Sequence, residues 1–193
     1  RLRPGVRFHN GAEFTAEDVA FTIARLPTIV NSPGSFVTYT RAIRAVEAVD
    51  PLTVRIRTAT PHPTLLVDLA RIAVVSRRTH EGAGTDDFNA GRAAIGTGPF
   101  RLVQHRPSDR IVMERFEGYW GERPSWQRVE YRMITSDPAR TAALLAGDVD
   151  FIDQVPSSDL ARLRRDPRIV LSEIDSLRNA FLALAHSRDG PSP

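Results

Sequence analysis

What most constrains this chain is that its apolar periodicity keeps changing. Stretches that alternate every second residue and stretches that repeat at helical spacing follow one another in no regular order. Leu52, Val54 and Ile56 alternate with Thr53, Arg55 and Arg57, as on a strand with one buried and one wet face. Val19, Ile23 and Leu26 recur at helical spacing behind Thr15 and Asp18, which resemble a capping pair. A doubly wound sheet needs strand and crossover helix to take turns, and here they do not. The expected fold class is therefore α+β, a mixed β-sheet lobe with peripheral helices.

The punctuation divides the chain further. A short strand over 5–8 turns at His9-Asn10-Gly11 into the first helix, which Pro27 ends, and 27–40 reads as a loop. A hairpin follows, with arms 42–49 and 52–57 joined at Asp50-Pro51. A short helix over 64–70 should turn Leu65, Leu66 and Leu69 to the core, and 72–75 is apolar and β-branched enough for a buried strand. Residues 80–92 are polar and read as a mobile loop. A second hairpin has arms 100–105 and 110–116, then an aromatic knot of Phe116, Tyr119 and Trp120, then a strand over 127–134. Asp137-Pro138 opens a helix that Gly147 stops. A strand over 149–152, a helix capped by Ser158 and running to Asp166-Pro167, and strands over 168–173 and 180–185 complete the reading.

Composition excludes whole classes of chemistry. There is no Cys, which removes thiol nucleophiles and Cys-rich metal sites. All 26 basic residues are Arg, so the chain holds no phosphate-loop lysine and no Schiff-base lysine. A pI near 10.1 suggests nucleic acid, but the net charge is only +3 and 23 acidic residues are interleaved with the arginines. Arg raises the pI simply because it titrates so high, and no basic stripe with interleaved aromatics is present, so no nucleic-acid partner is expected. At 193 residues, one domain or one plus a fragment is expected. The chain opens on Arg1 rather than Met and shows neither a leader nor a long apolar run, and it reads as an excised segment.

Residue patterns that invite catalysis or metal binding are weak. Gly96-Thr97-Gly98 runs into Pro99 and a strand, whereas a phosphate cradle opens a helix. His9, His62, His80, His105 and His186 show no ligand spacing. His80-Glu81 near Asp86-Asp87 could gather a cation, but a solvated loop is the expectation. Asp148, Asp150 and Asp153 are read as edge or turn residues that keep a strand soluble. G-x-S-x-G is absent. No enzyme activity, cofactor or metal is expected.

Three blocks carry a family resemblance. They are Leu2 to Val19 with its Pro4-Gly5-Val6-Arg7-Phe8-His9-Asn10-Gly11 core; Ile95-Gly96-Thr97-Gly98-Pro99-Phe100 continuing to Tyr119-Trp120-Gly121; and Ala139 to Asp150 with Leu144-Leu145-Ala146-Gly147-Asp148-Val149-Asp150. In this order they resemble the bacterial extracytoplasmic solute-binding proteins of the dipeptide-, oligopeptide- and nickel-binding type, components of ABC importers. The resemblance implies one incomplete lobe of a two-lobed periplasmic binding protein fold that closes on its ligand like a trap. Residues 1–175 would be most of the first lobe without its N-terminal part, and 176–193 the crossing strand and start of the second. It implies a small-molecule or peptide ligand, a membrane permease as partner, a monomer when full length, and a periplasmic or extracytoplasmic location with or without a lipid anchor. A ligand-sensing domain of a transcriptional regulator, built on the same lobe, is the alternative. Most of the block residues are expected to shape the lobe. Ligand contact is assigned to Ser35, Phe36 and Tyr39 in one loop, and to Arg71 and Ala73 at the other. Arg71 lies between an apolar helix and an apolar stretch. Its guanidinium would serve either a ligand carboxylate or an internal salt bridge such as one to Asp68.

Overall fold

The computed structural model describes residues 1–29 and 36–175, which divide into a unit of residues 1–133 and a unit from residue 134 onward. In the first unit the N-terminal segment forms a tight loop. Phe8 N–H donates to Ala12 O and Phe14 N–H to Val6 O, with Arg7 and Glu13 as a lone bridge in place of a full strand over 5–8. This loop drives Val6 and Phe8 into the core and leads into helix α1 (Ala16–Arg25). The Asp18 carboxylate accepts the Thr15 N–H at 2.8 Å, so the expected cap is present. A 3-10 turn, Leu26–Thr28, follows at Pro27.

The first hairpin pairs β1 (Ile43–Asp50) with β2 (Thr53–Thr58), Val46 opposite Ile56 and Ala48 opposite Val54. Helix α1 packs across it, and Val54 and Ile56 are half-buried while Arg55 and Arg57 are exposed, as the alternation requires, but Thr53 is half-buried like Leu52. Between them 27–40 is not all loop, because α2 (Val37–Thr40) is a single helical turn. Helix α3 (Leu65–Leu69) forms where expected, but Leu66 is 79% exposed. Leu65 and Leu69 are one turn apart and share the half-buried face, from which Leu66 is rotated.

Residues 72–75 form no strand, and the reason is local. Their far end is held by α1 side chains: Val75 N–H donates to Thr22 Oγ1 at 3.0 Å and Arg77 N–H to Asp18 Oδ1 at 2.7 Å. The expected mobile loop over 80–92 is also ordered, as α4 (Arg77–His80) and α5 (Thr85–Asn89). His80 is 1% exposed, with Nδ1 2.9 Å from Ser76 O and Nε2 2.9 Å from Ala93 O, and its ring packs on Phe88. It is a packing residue and no solvated cation ligand. Asp87 is committed likewise to Arg92 and to the Gly84 N–H, and these bonds hold its carboxyl below the ordinary value.

A three-stranded antiparallel sheet ends the first unit: β3 (Phe100–Arg106), β4 (Arg110–Arg115) and β5 (Arg128–Arg132), with Leu102 opposite Met113 and Ile111 opposite Tyr131. One face is a ladder of opposite charges, Glu114 between Arg101 and Arg128 and Glu130 between Arg110 and Arg132. Each such pair is worth little singly, and the ladder engages four of the 26 arginines.

In the second unit α6 (Asp137–Ala146) opens with Ser136 as N-cap, one residue earlier than the sequence suggested, and closes at Gly147 in the left-handed region, φ 79°. Thr141 is buried and donates to Asp159 Oδ2 at 2.8 Å, which docks the start of α7 (Leu160–Leu163) on α6. Asp159, not Ser158, occupies the position before that helix. Residues 149–152 and 168–173 form no strand: neither has a ladder partner among the described residues. The strand expected over 180–185 lies outside the described residues.

Candidate functional site

Two of the three blocks meet, and they meet as structure. His9 N–H donates to Gly96 O at 2.9 Å, the Gly96 N–H donates to His9 Nδ1 at 3.3 Å, and His9 Nε2–H donates to Gly98 O at 3.0 Å. That set of partners fixes the neutral tautomer with its proton on Nε2. Trp120 Nε1–H donates to Thr97 O at 3.1 Å, and Arg3 stacks on the Trp120 ring at 4.6 Å. Of the N–H donors that a phosphate cradle would need, that of Gly96 is thus taken by His9, and the other bonds engage the carbonyls of Gly96, Thr97 and Gly98. An open polar recess of about 510 Å³ lies beside this region, but its Arg7 pairs with Glu13 and its Arg77 with Glu17. Among the described residues no group of three or more acidic or histidine side chains could hold a metal ion.

A surface with uncommitted chemistry among the described residues is built on α2 and α3, which pack against each other. Phe36 and Tyr39 flank the start and body of α2, their rings 6.4 Å apart and tilted, with Phe36 exposed and Tyr39 half-buried. On α3, Leu66 and Val67 point to solvent, Val67 at 61% exposure. Apolar side chains on short helices, left exposed beside an aromatic pair, suit the wall of a ligand cleft.

Arg71 follows α3 directly and is exposed, as is Ala73. The internal salt bridge weighed for Arg71 does not form. Asp68 instead accepts from His62 Nε2 at 2.7 Å, with the Thr64 hydroxyl 3.3 Å from the same nitrogen. The Arg71 backbone N–H donates to Asp68 O at 3.1 Å, but among the described residues its guanidinium has no hydrogen-bond or ion-pair partner. The structure therefore brings Phe36 and Tyr39 together and leaves Arg71 and Ala73 on the turn after α3, without a hydrogen bond or ring contact between the two pairs. Ser35 lies outside the described residues. Sequence reasoning named Asp68 only as a partner for Arg71 and missed its pairing with His62. Their signal was a spacing of six residues across a helix start, which has no meaning until Pro61 and Pro63 fix the entry into α3.

Asp18 and Thr22 were also missed as site-building residues. Both are buried, at 4% and 2% exposure. They fix the segment after Ala73 through its backbone.

Comparison with known proteins gives a consistent result. Residues 1–191 match the family described as bacterial extracellular solute-binding proteins, family 5 Middle. The chain is 28% identical over 189 residues to the glutathione-binding protein GsiB of Pectobacterium atrosepticum, covering 95% of this chain and 36% of that protein. It is 30% identical over 206 residues to the dipeptide-binding protein of Escherichia coli K12, covering 94% and 38%. Among solved structures, MoaA of A. tumefaciens R10 in complex with mannopinic acid superposes with a TM-score of 0.75 at 29% identity, over 86% of this chain and 34% of that one. The chain thus spans about a third of the length of the relatives it matches.

Proposed function

The chain belongs to the bacterial extracellular solute-binding proteins of family 5, and on that premise we propose that it is part of the substrate-binding component of an ABC importer. The whole protein would capture oligopeptides or a similar small solute outside the cytoplasmic membrane, free or lipid-anchored, and deliver it to the permease as a monomer. Binding without catalysis is the activity proposed. The observation that carries this reading is the family match across residues 1–191. No helix among the described residues is long and apolar enough to cross a membrane. We place most of the first lobe in residues 1–175 and the crossing to the second lobe in 176–193. No observation favours the alternative, a sensor domain of a regulator.

Within this function, Phe36, Tyr39, Arg71 and Ala73, with Ser35, are assigned to the ligand-facing surface, and Arg71 to an anionic group of the ligand. The Arg71 guanidinium, without an ion-pair partner among the described residues, supports this assignment, since its fork geometry suits a carboxylate. Glutathione and dipeptides, which the relatives' names specify, both carry carboxylates. The test is Arg71→Ala in the full-length protein, titrated with dipeptides and glutathione by calorimetry and melted without ligand. Affinity should fall by about 1.5–3 kcal/mol, the scale of a charge-assisted hydrogen bond, with Tm nearly unchanged. Lost stability with intact affinity per folded molecule refutes the assignment.

A further inference from the structure

Arg71 has an obvious partner within its own turn, and another residue has taken it. Asp68 lies three residues before Arg71, the spacing at which side chains on a helical surface are neighbours, and the Arg71 N–H to Asp68 O bond keeps that turn helical in form. An Asp and an Arg so placed can pair, as Asp137 and Arg140 do in this chain. Here Asp68 Oδ2 instead accepts from His62 Nε2–H at 2.7 Å, and both side chains are about three-quarters shielded from solvent. His62 lies just before the helix start, between Pro61 and Pro63.

We propose that His62 is a positioning residue for the anion site: by holding Asp68 it keeps the Arg71 guanidinium unneutralised and available to ligand. The inference rests on the ligand-facing assignment of Arg71, but the His62–Asp68–Arg71 coupling itself is measurable without any ligand. Remove the His62 donor and Asp68 is released to its neighbour at i+3. The guanidinium is then tied down, and a ligand carboxylate must displace an internal one before it can bind. The device acts through charge competition and needs no change of backbone.

The test uses the full-length protein and p-hydroxyphenylglyoxal, an arginine-selective dicarbonyl that reacts with the uncharged guanidine, with the adduct at Arg71 followed by mass spectrometry. Pairing with a carboxylate stabilises the charged form and slows that reaction. His62→Ala should slow adduct formation at Arg71 by about two- to fivefold, the scale of one exposed ion pair. His62→Leu should do the same, which keeps the test open if either variant misfolds. Adding Asp68→Asn to either background should restore the wild-type rate, and His62→Gln, which keeps an N–H donor, should stay close to it. A merely structural role for His62 would not be rescued by removing Asp68. An unchanged Arg71 rate in a folded His62 variant, or no restoration in the double variant, overturns the proposal. Titration with glutathione separates the two readings. If the adduct rates move as stated while Arg71→Ala leaves affinity for glutathione and dipeptides intact, the coupling stands and the ligand assignment of Arg71 falls.

Discussion

At the scale of single residues, the strongest commitments are buried carboxylate and hydroxyl groups that serve backbone. Asp18 satisfies the N–H groups of Thr15 and Arg77 at once. Asp18→Ala leaves both donors without an acceptor, and should lower the stability of the full-length protein by about 1.5–3 kcal/mol in denaturant unfolding. A cost below about 0.5 kcal/mol would show that solvent replaces the carboxylate. Half of this was legible in the sequence. The cap to Thr15 follows from the spacing of three residues, whereas the bond to Arg77 crosses 59 residues and no local pattern announces it. Arg71 is similar: its position at a junction was readable, but its freedom depends on His62. Asp166 is held by the Arg168 guanidinium and then by the Arg168 N–H, which together bring its carboxyl down to about 2 from 3.8. A depressed folded value means that the contribution is present above the unfolded value and is lost as pH falls through the folded one. The stability difference between wild type and Asp166→Asn should therefore be constant above about pH 4 and shrink between about pH 4 and pH 2. A difference that stays flat across that window removes Asp166 from the acid response.

At the scale of elements, the legible parts were those whose partner is close in sequence. Both hairpins and α6 follow from turn residues, alternation and caps within a few positions of each other. Residues 72–75, 149–152 and 168–173 carry strand-like composition but no ladder. A pattern specifies which face is apolar, while a strand also needs a neighbour, and composition cannot name one. Residues 80–92 failed in the opposite direction, because a polar Gly-containing stretch became two short helices around a buried imidazole. The join between those helices and the sheet suggests a paired experiment on glycines. Gly91 has φ 79°, and a Cβ there would lie 2.9 Å from Leu102 Cδ2 and 3.1 Å from His105 Cβ. Gly147 has the same φ but open space. Gly147→Ala should cost about 1–2 kcal/mol from the left-handed backbone alone, and Gly91→Ala should cost more by about 1–3 kcal/mol of overpacking. Equal losses in thermal unfolding would mean that β3 yields to the extra methyl group.

At the scale of the whole molecule, the chain spans about a third of its relatives' length, so the proposed trap is incomplete in it. Trap-type binding draws on both walls of a cleft, and one wall leaves polar ligand groups unmatched. Calorimetry should therefore find that residues 1–193 bind dipeptides or glutathione far more weakly than the full-length protein does. Equal affinity would sink the two-lobe reading. The Asp18–Thr22 clasp bears on how such proteins come to differ in what they carry. Between the end of α3 and Val75 the backbone has no ladder register to preserve among the described residues, because its anchorage lies in side chains of α1. Residues 71 and 73 can therefore be rewritten, each as an independent trial, without renegotiating the rest of the lobe. A chain fastened in this way can change what it presents at these two positions while its fastenings stay in place.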